Sequence, residues 1–131
     1  MKKYVFIFLF LTVNLVSYGQ TESPMKDFDA NYAHTVYFWL QNPESHEDCA
    51  AFETSLKKFM DHSAYAKTKY IGTPPKASRD VVDGSFTYAL IVTFESAEAQ
   101  QKYQDEAPHK LFIEESSHLW TKVIVYDSTG I

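Results

Sequence analysis

The chain has 131 residues, 45% hydrophobic, 16% aromatic and 22% charged, with a formal net charge of −5 and one cysteine. Ten Phe, nine Tyr and two Trp supply the bulk for one domain's core, which excludes a disordered chain and a collagen-like repeat. The acidic balance, with never more than two Lys or Arg adjacent, excludes a sequence-independent nucleic-acid binder, because neutralising phosphates requires a basic face.

Lys2 and Lys3 precede an apolar run, Tyr4 to Val16, broken only by Thr12 and Asn14, and Ser17 and Gly19 place small residues at −3 and −1. This is the pattern of a secretory signal peptide over residues 1–19, cleaved before Gln20. An uncleaved anchor is the competing reading, but the run falls short of the roughly 20 apolar residues that span a bilayer. No cysteine lies near the cleavage site to carry a lipid. The mature protein is expected to be periplasmic or extracellular, with no membrane association once the leader is removed. Residues 20–30 read as a short flexible lead-in, and residues 31–128 as the folded domain.

From Tyr32 to Leu40 the chain (YAHTVYFWL) is β-branched and aromatic on both faces, the pattern of a central strand. Tyr32, His34, Val36, Phe38 and Leu40 share one face, and Thr35, Tyr37 and Trp39 the other. Ser45-His46-Glu47-Asp48 resembles a capping box and opens a helix to about Asp61, with Cys49, Phe52, Leu56, Phe59 and Met60 as its apolar stripe. Cys49 has no partner for an intramolecular disulfide, so it reads as a buried, inert thiol, and stability must come from packing. Tyr65 to Ile71 is a weaker strand whose alternating Lys67 and Lys69 suit a sheet edge. Phe86 to Phe94 (FTYALIVTF) is the strongest strand, with Phe86, Tyr88, Leu90, Val92 and Phe94 on one face. Ser96 caps a helix to about Asp105, which Pro108 terminates; Lys110 to His118 is a shorter helical piece, and Trp120 to Tyr126 the last strand.

This β-α-β-β-α-β order, with one half-helix inserted, predicts an α+β ferredoxin-like sandwich: a four-stranded antiparallel sheet with its helices on one face. Thr35, Tyr37, Trp39, Ala89, Ile91, Val123 and Val125 would then form an apolar sheet face that no helix covers. A homodimer through that face is the simplest way to bury it.

The segments HTVYFWL (34–40), YIG (70–72), SFTYAL (85–90), FES (94–96), Tyr103 with Pro108-His109, and WTKVIVYD (120–127) closely resemble the stress-responsive A/B barrel, or Dabb, family. The resemblance covers about residues 32–127 and implies a dimeric α/β barrel of the ferredoxin-like type. It implies no single function. In the family's plant polyketide cyclase the acid–base pair corresponds to Tyr103 and His109, and a further pocket histidine to His34. An imidazole titrates near neutrality and can take a proton alpha to a carbonyl, while a phenol can polarise the carbonyl oxygen. Where that cyclase has another pocket histidine, this chain has Tyr88. An exported protein also rarely meets cytosolic coenzyme A thioesters, so the resemblance carries over the pocket rather than the reaction.

Each candidate also has a structural reading: His109 as a packing histidine in a Pro-His turn, and His34, Tyr88 and Tyr103 as core residues with satisfied polar atoms. Metal chemistry has little support, because His46, His62 and His118 lack ligand spacing and Asp48, Asp61, Asp80 and Asp83 read as solvated loop carboxylates. Glu114-Glu115 reads as a helix-surface pair. A haem role would need His34 or His109 as ligand, with nothing else to argue for it, and no cofactor is expected. Three classes remain: a small-ligand binder with a pocket of His34, Phe52, Leu56, Tyr88, Tyr103, His109 and Phe112; a cofactor-free lyase or cyclase using His109 and Tyr103; and a stress-related structural oligomer.

Overall fold

The computed structural model describes residues 31–77 and 79–131; the expected signal peptide and lead-in lie outside the described residues. The elements are β1 (Tyr32–Leu40), α1 (His46–His62), β2 (Thr68–Gly72), β3 (Tyr88–Phe94), α2 (Ala97–Asp105), α3 (Ala107–Ser116), a 3-10 turn (Ser117–Leu119) and β4 (Trp120–Thr129). The strands form one sheet in the order β2-β3-β1-β4, every neighbouring pair antiparallel. With the helices on one face, this is the ferredoxin-like architecture expected from the element order.

Period-two alternation sets β1: His34, Val36, Phe38 and Leu40 are buried beneath the helices while the residues between them are half-buried. Both expected caps form. Ser45 Oγ accepts from the Asp48 N–H at 3.2 Å, and Ser96 Oγ from the Ala99 N–H at 3.1 Å, each satisfying a first-turn donor. The α1 stripe drives Phe52 and Leu56 to complete burial, with Phe59 and Met60 nearly so. Side chains of this size each stabilise the fold by about 1.5–3 kcal/mol when buried. Cys49 is only half-buried, at the rim of this core, its thiol 3.3 Å from the Pro43 carbonyl oxygen, because the stripe meets solvent at the first turn of α1.

The structure departs from the expected pattern in four further places. β2 begins at Thr68 rather than Tyr65, which is 40% exposed. β3 begins at Tyr88: Leu40 N–H donates to Thr87 Oγ1 at 3.1 Å, so a side chain takes a ladder position and the alternation breaks. Phe86 therefore turns to the outer face, its ring 4.7 Å from that of Tyr37. Pro108 does not terminate α2. It sits in the first turn of α3, where its missing N–H costs nothing, and Glu106 ends one helix and begins the next.

The fourth departure is the phase of β4. Val123 and Val125 lie opposite Phe38 and Val36, hence on the helix-facing side, and not on the outer face. The outer face receives Lys122, Ile124 and Tyr126 instead, opposite Trp39, Tyr37 and Thr35. With Tyr37, Trp39, Phe86 and Ile91 it remains largely apolar, and no described helix covers it. Lys122 adapts to it by placing its ammonium 4.3 Å from the Trp39 ring centroid.

Candidate functional site

Four elements converge at the open side of the helical layer. β1 supplies His34, α2 supplies Tyr103, the first turn of α3 supplies His109 and, one turn on, Phe112, and β4 closes the wall with Val123 and Val125. Together with Val36, Phe38, Leu90 and Trp120 they enclose a cavity of about 260 Å³. The same short α2–α3 junction that admits Pro108 into a helix aims His109 inward.

Tyr103 is the centre of the cluster. Only 1% exposed, it packs edge-on against Phe94, with ring centroids 4.9 Å apart, and lies between His34 at 5.8 Å and His109 at 5.4 Å. Burial, and secondarily the Glu106 carboxylate, push its phenol well above the ordinary tyrosine value, so it stays protonated as a donor. Burial likewise pulls His109 below the ordinary histidine value, aided by the nearby His34. The Gln104 backbone carbonyl, which accepts from its ring, and the Glu106 and Asp105 carboxylates oppose the shift without reversing it. His109 is therefore a neutral imidazole at pH 7, with one nitrogen donating to Gln104 and the other carrying a lone pair.

His34 is oriented by a residue that the sequence pattern did not single out. Its Nδ1 lies 2.6 Å from Asp127 Oδ1, with the histidine side chain 5% exposed and the aspartate 39%. Cross-strand pairing of His34 with Asp127 makes the contact possible. The Tyr32 phenol also hydrogen-bonds Asp127; burial, then that bond, raise its pKa. With Nδ1 committed to the carboxylate, Nε2 is the nitrogen available to a ligand. Glu106 holds the second helix junction, accepting from Ser63 Oγ at 2.6 Å and from the Ala64 N–H at 3.0 Å, which ties the end of α1 to the turn before His109.

Three expected pocket residues lie elsewhere. Phe52 and Leu56 are fully buried core residues, and Tyr88 stacks on Phe52 at 4.9 Å while its hydroxyl donates to Glu53 Oε1 at 2.9 Å. Burial and the Glu53 bond raise the Tyr88 pKa, and the phenol points to the first half of α1, away from His109. Of the expected set, His34, Tyr103, His109 and Phe112 share the cavity. Among the described residues no group of three or more His, Cys, Asp or Glu is placed to hold a metal ion.

Residues 32–129 match the Stress responsive A/B Barrel Domain, or Dabb, family. The chain belongs to the Dabb family. Among curated proteins none matches it. Solved structures with the same fold include a Dabb protein with a ferredoxin-like fold from Mesorhizobium loti, 17% identical with a TM-score of 0.64 over 76% of this chain and 96% of that one. A hydroxynitrile lyase from Passiflora edulis is 20% identical, with a TM-score of 0.64 over 76% of this chain and 93% of that one. A dimeric ferredoxin-like protein of unknown function from Thermobifida fusca is 13% identical, with a TM-score of 0.61 over 75% of this chain and 89% of that one.

Proposed function

We propose that this Dabb protein binds a small carbonyl-bearing organic ligand in the cavity beneath α2 and α3. The observation that carries the reading is the convergence of His34, Tyr103 and His109, from three separate elements, on one 260 Å³ space. Tyr103 would donate a hydrogen bond to the ligand's oxygen, and His34 would present Nε2 from a ring fixed by Asp127. The neutral His109 ring would face the acidic hydrogen. An open interior also argues for a binder over a solidly packed structural oligomer.

An acid–base lyase is the second reading, favoured by the neutral state of His109. In that reaction His109 takes the hydroxyl proton of an alcohol substrate, the bond from the carbinol carbon to the leaving group breaks as the carbonyl forms, and the imidazolium beside Glu106 and Asp105 passes the proton to the departing anion, while Tyr103 holds the substrate oxygen throughout. The Passiflora hydroxynitrile lyase has this fold, which supports the chemistry as an option for the site. Further parts of the proposal are a homodimer and export. The uncovered outer sheet face supports the first, as does the dimeric Thermobifida fusca structure of the same fold; the leader pattern of residues 1–19 supports the second.

Calorimetric titration of the protein with a panel of aromatic and aliphatic ketones and aldehydes tests the reading. Saturable binding that weakens at least tenfold in both His109→Ala and Tyr103→Phe, with the fold intact by circular dichroism, is expected. Binding that neither substitution changes would overturn the assignment of the site.

A further inference from the structure

α3 borders a second hollow on its other side. A groove of about 320 Å³ runs between α1 and α3, with Phe59, Pro108, Leu111 and Phe112 as its main apolar walls. Its polar groups stand at the edges and are already paired. Glu115 accepts from Ser55 Oγ at 3.0 Å and from Lys58 Nζ at 2.9 Å, and the His62 Nδ1 lies 2.7 Å from the Lys58 carbonyl oxygen of its own helix. What the groove offers a guest is therefore apolar surface, and Leu111 leaves 39% of its own area exposed there.

Phe59 and Phe112 are walls of both the groove and the His109 cavity. Their rings stack with centroids 5.5 Å apart and an interplanar angle of 17°, so one aromatic pair separates the two spaces. We infer that the groove is a second compartment of the same ligand site, reached by rotation of the Phe112 ring. It would receive a short alkyl substituent of a ligand whose carbonyl group lies beneath Tyr103 and His109. Continuity of the walls identifies the occupant, since Phe112 is one helical turn from His109 on the same helix. Size permits it: a dry cavity of about 150 Å³ accepts benzene. The absence of an unpaired charge in the walls selects an uncharged, apolar group over a carboxylate or an amine. The ligand class becomes an amphiphilic ketone with a polar head and an apolar tail. This inference rests on the ligand site proposed above.

The test titrates the full chain with acetophenone and its 4-methyl to 4-pentyl homologues, following affinity by calorimetry and the His109 imidazole and Leu111 methyl signals by NMR. Affinity should tighten by about fourfold per added methylene, the value of one buried CH₂, with Leu111 shifting in step with His109. Ala107→Trp, which fills the groove from an exposed position, and Leu111→Glu, which makes it polar, should each flatten the series while acetophenone itself binds as before. If acetophenone binds but the series is flat, or if the tightening survives both substitutions, the second compartment is refuted and the ligand site stands. If no member perturbs His109, both fail together.

Discussion

Replacing Asp127 by alanine removes the carboxylate that His34 contacts and exposes the logic of the site. In the native protein a histidine 4% exposed overall places Nδ1 2.6 Å from Oδ1, and Tyr32 leans on the same carboxylate. A hydrogen bond to a charged group contributes about 1.5–3 kcal/mol, and a buried donor left without a partner costs about 1–3 kcal/mol. The 39% exposure of Asp127 lets water screen the charge and partly replace it, which favours the lower half of those ranges. Asp127→Ala should therefore cost about 2 kcal/mol, and Asp127→Asn, whose side-chain oxygen still accepts, under about 1 kcal/mol. Urea denaturation at pH 7.5 measures both, and ¹⁵N NMR should find the His34 proton on Nδ1 in the native protein and redistributed in the alanine variant. An alanine variant within about 0.5 kcal/mol of the parent, the ordinary scatter of an uninvolved surface position, would refute the claim that Asp127 orients His34.

Tyr88→Phe should lower stability by about 1 kcal/mol by removing the bond to Glu53, yet leave ketone affinity unchanged; a parallel loss of affinity would return Tyr88 to the pocket. Because burial lowers the folded-state pKa of His109, the unfolded chain takes up that proton first. Its contribution to stability is therefore constant above about pH 6.5, the unfolded value, and declines as the pH falls toward the lower folded value; His109→Gln should flatten this part of the stability–pH curve, and an unchanged slope would contradict the assignment. Ile91→Lys places a charge in the middle of the outer sheet face, opposite Thr35, and should convert a dimer into a folded monomer by analytical ultracentrifugation. A dimer of undiminished affinity would show that the face is not the interface.

Much of the architecture was legible because its signals are local. Alternation in β1 and the serine caps of α1 and α2 need only neighbouring residues, and both appear where expected. The phase of β4 was not legible, because Val123-Ile124-Val125 is apolar on both faces and only pairing with β1 decides which side each residue takes. The same non-local pairing hid Asp127, which is 93 residues from His34 in the chain. Pro108 misled because a proline after a helix and one inside the first turn of the next look alike in sequence. Phe52, Leu56 and Tyr88 share the inward face with the true cavity residues, but lie toward the other end of the sheet, a distinction that periodicity does not carry.

The most direct test of the central claim is an NMR titration of the His109 imidazole with and without a bound ketone. A free-protein midpoint below the usual histidine value and a saturable ligand-induced shift, lost in Tyr103→Phe, are the predicted results. A midpoint at the ordinary value, with no response to any ketone, would contradict the account of His109 as a neutral base in a working pocket.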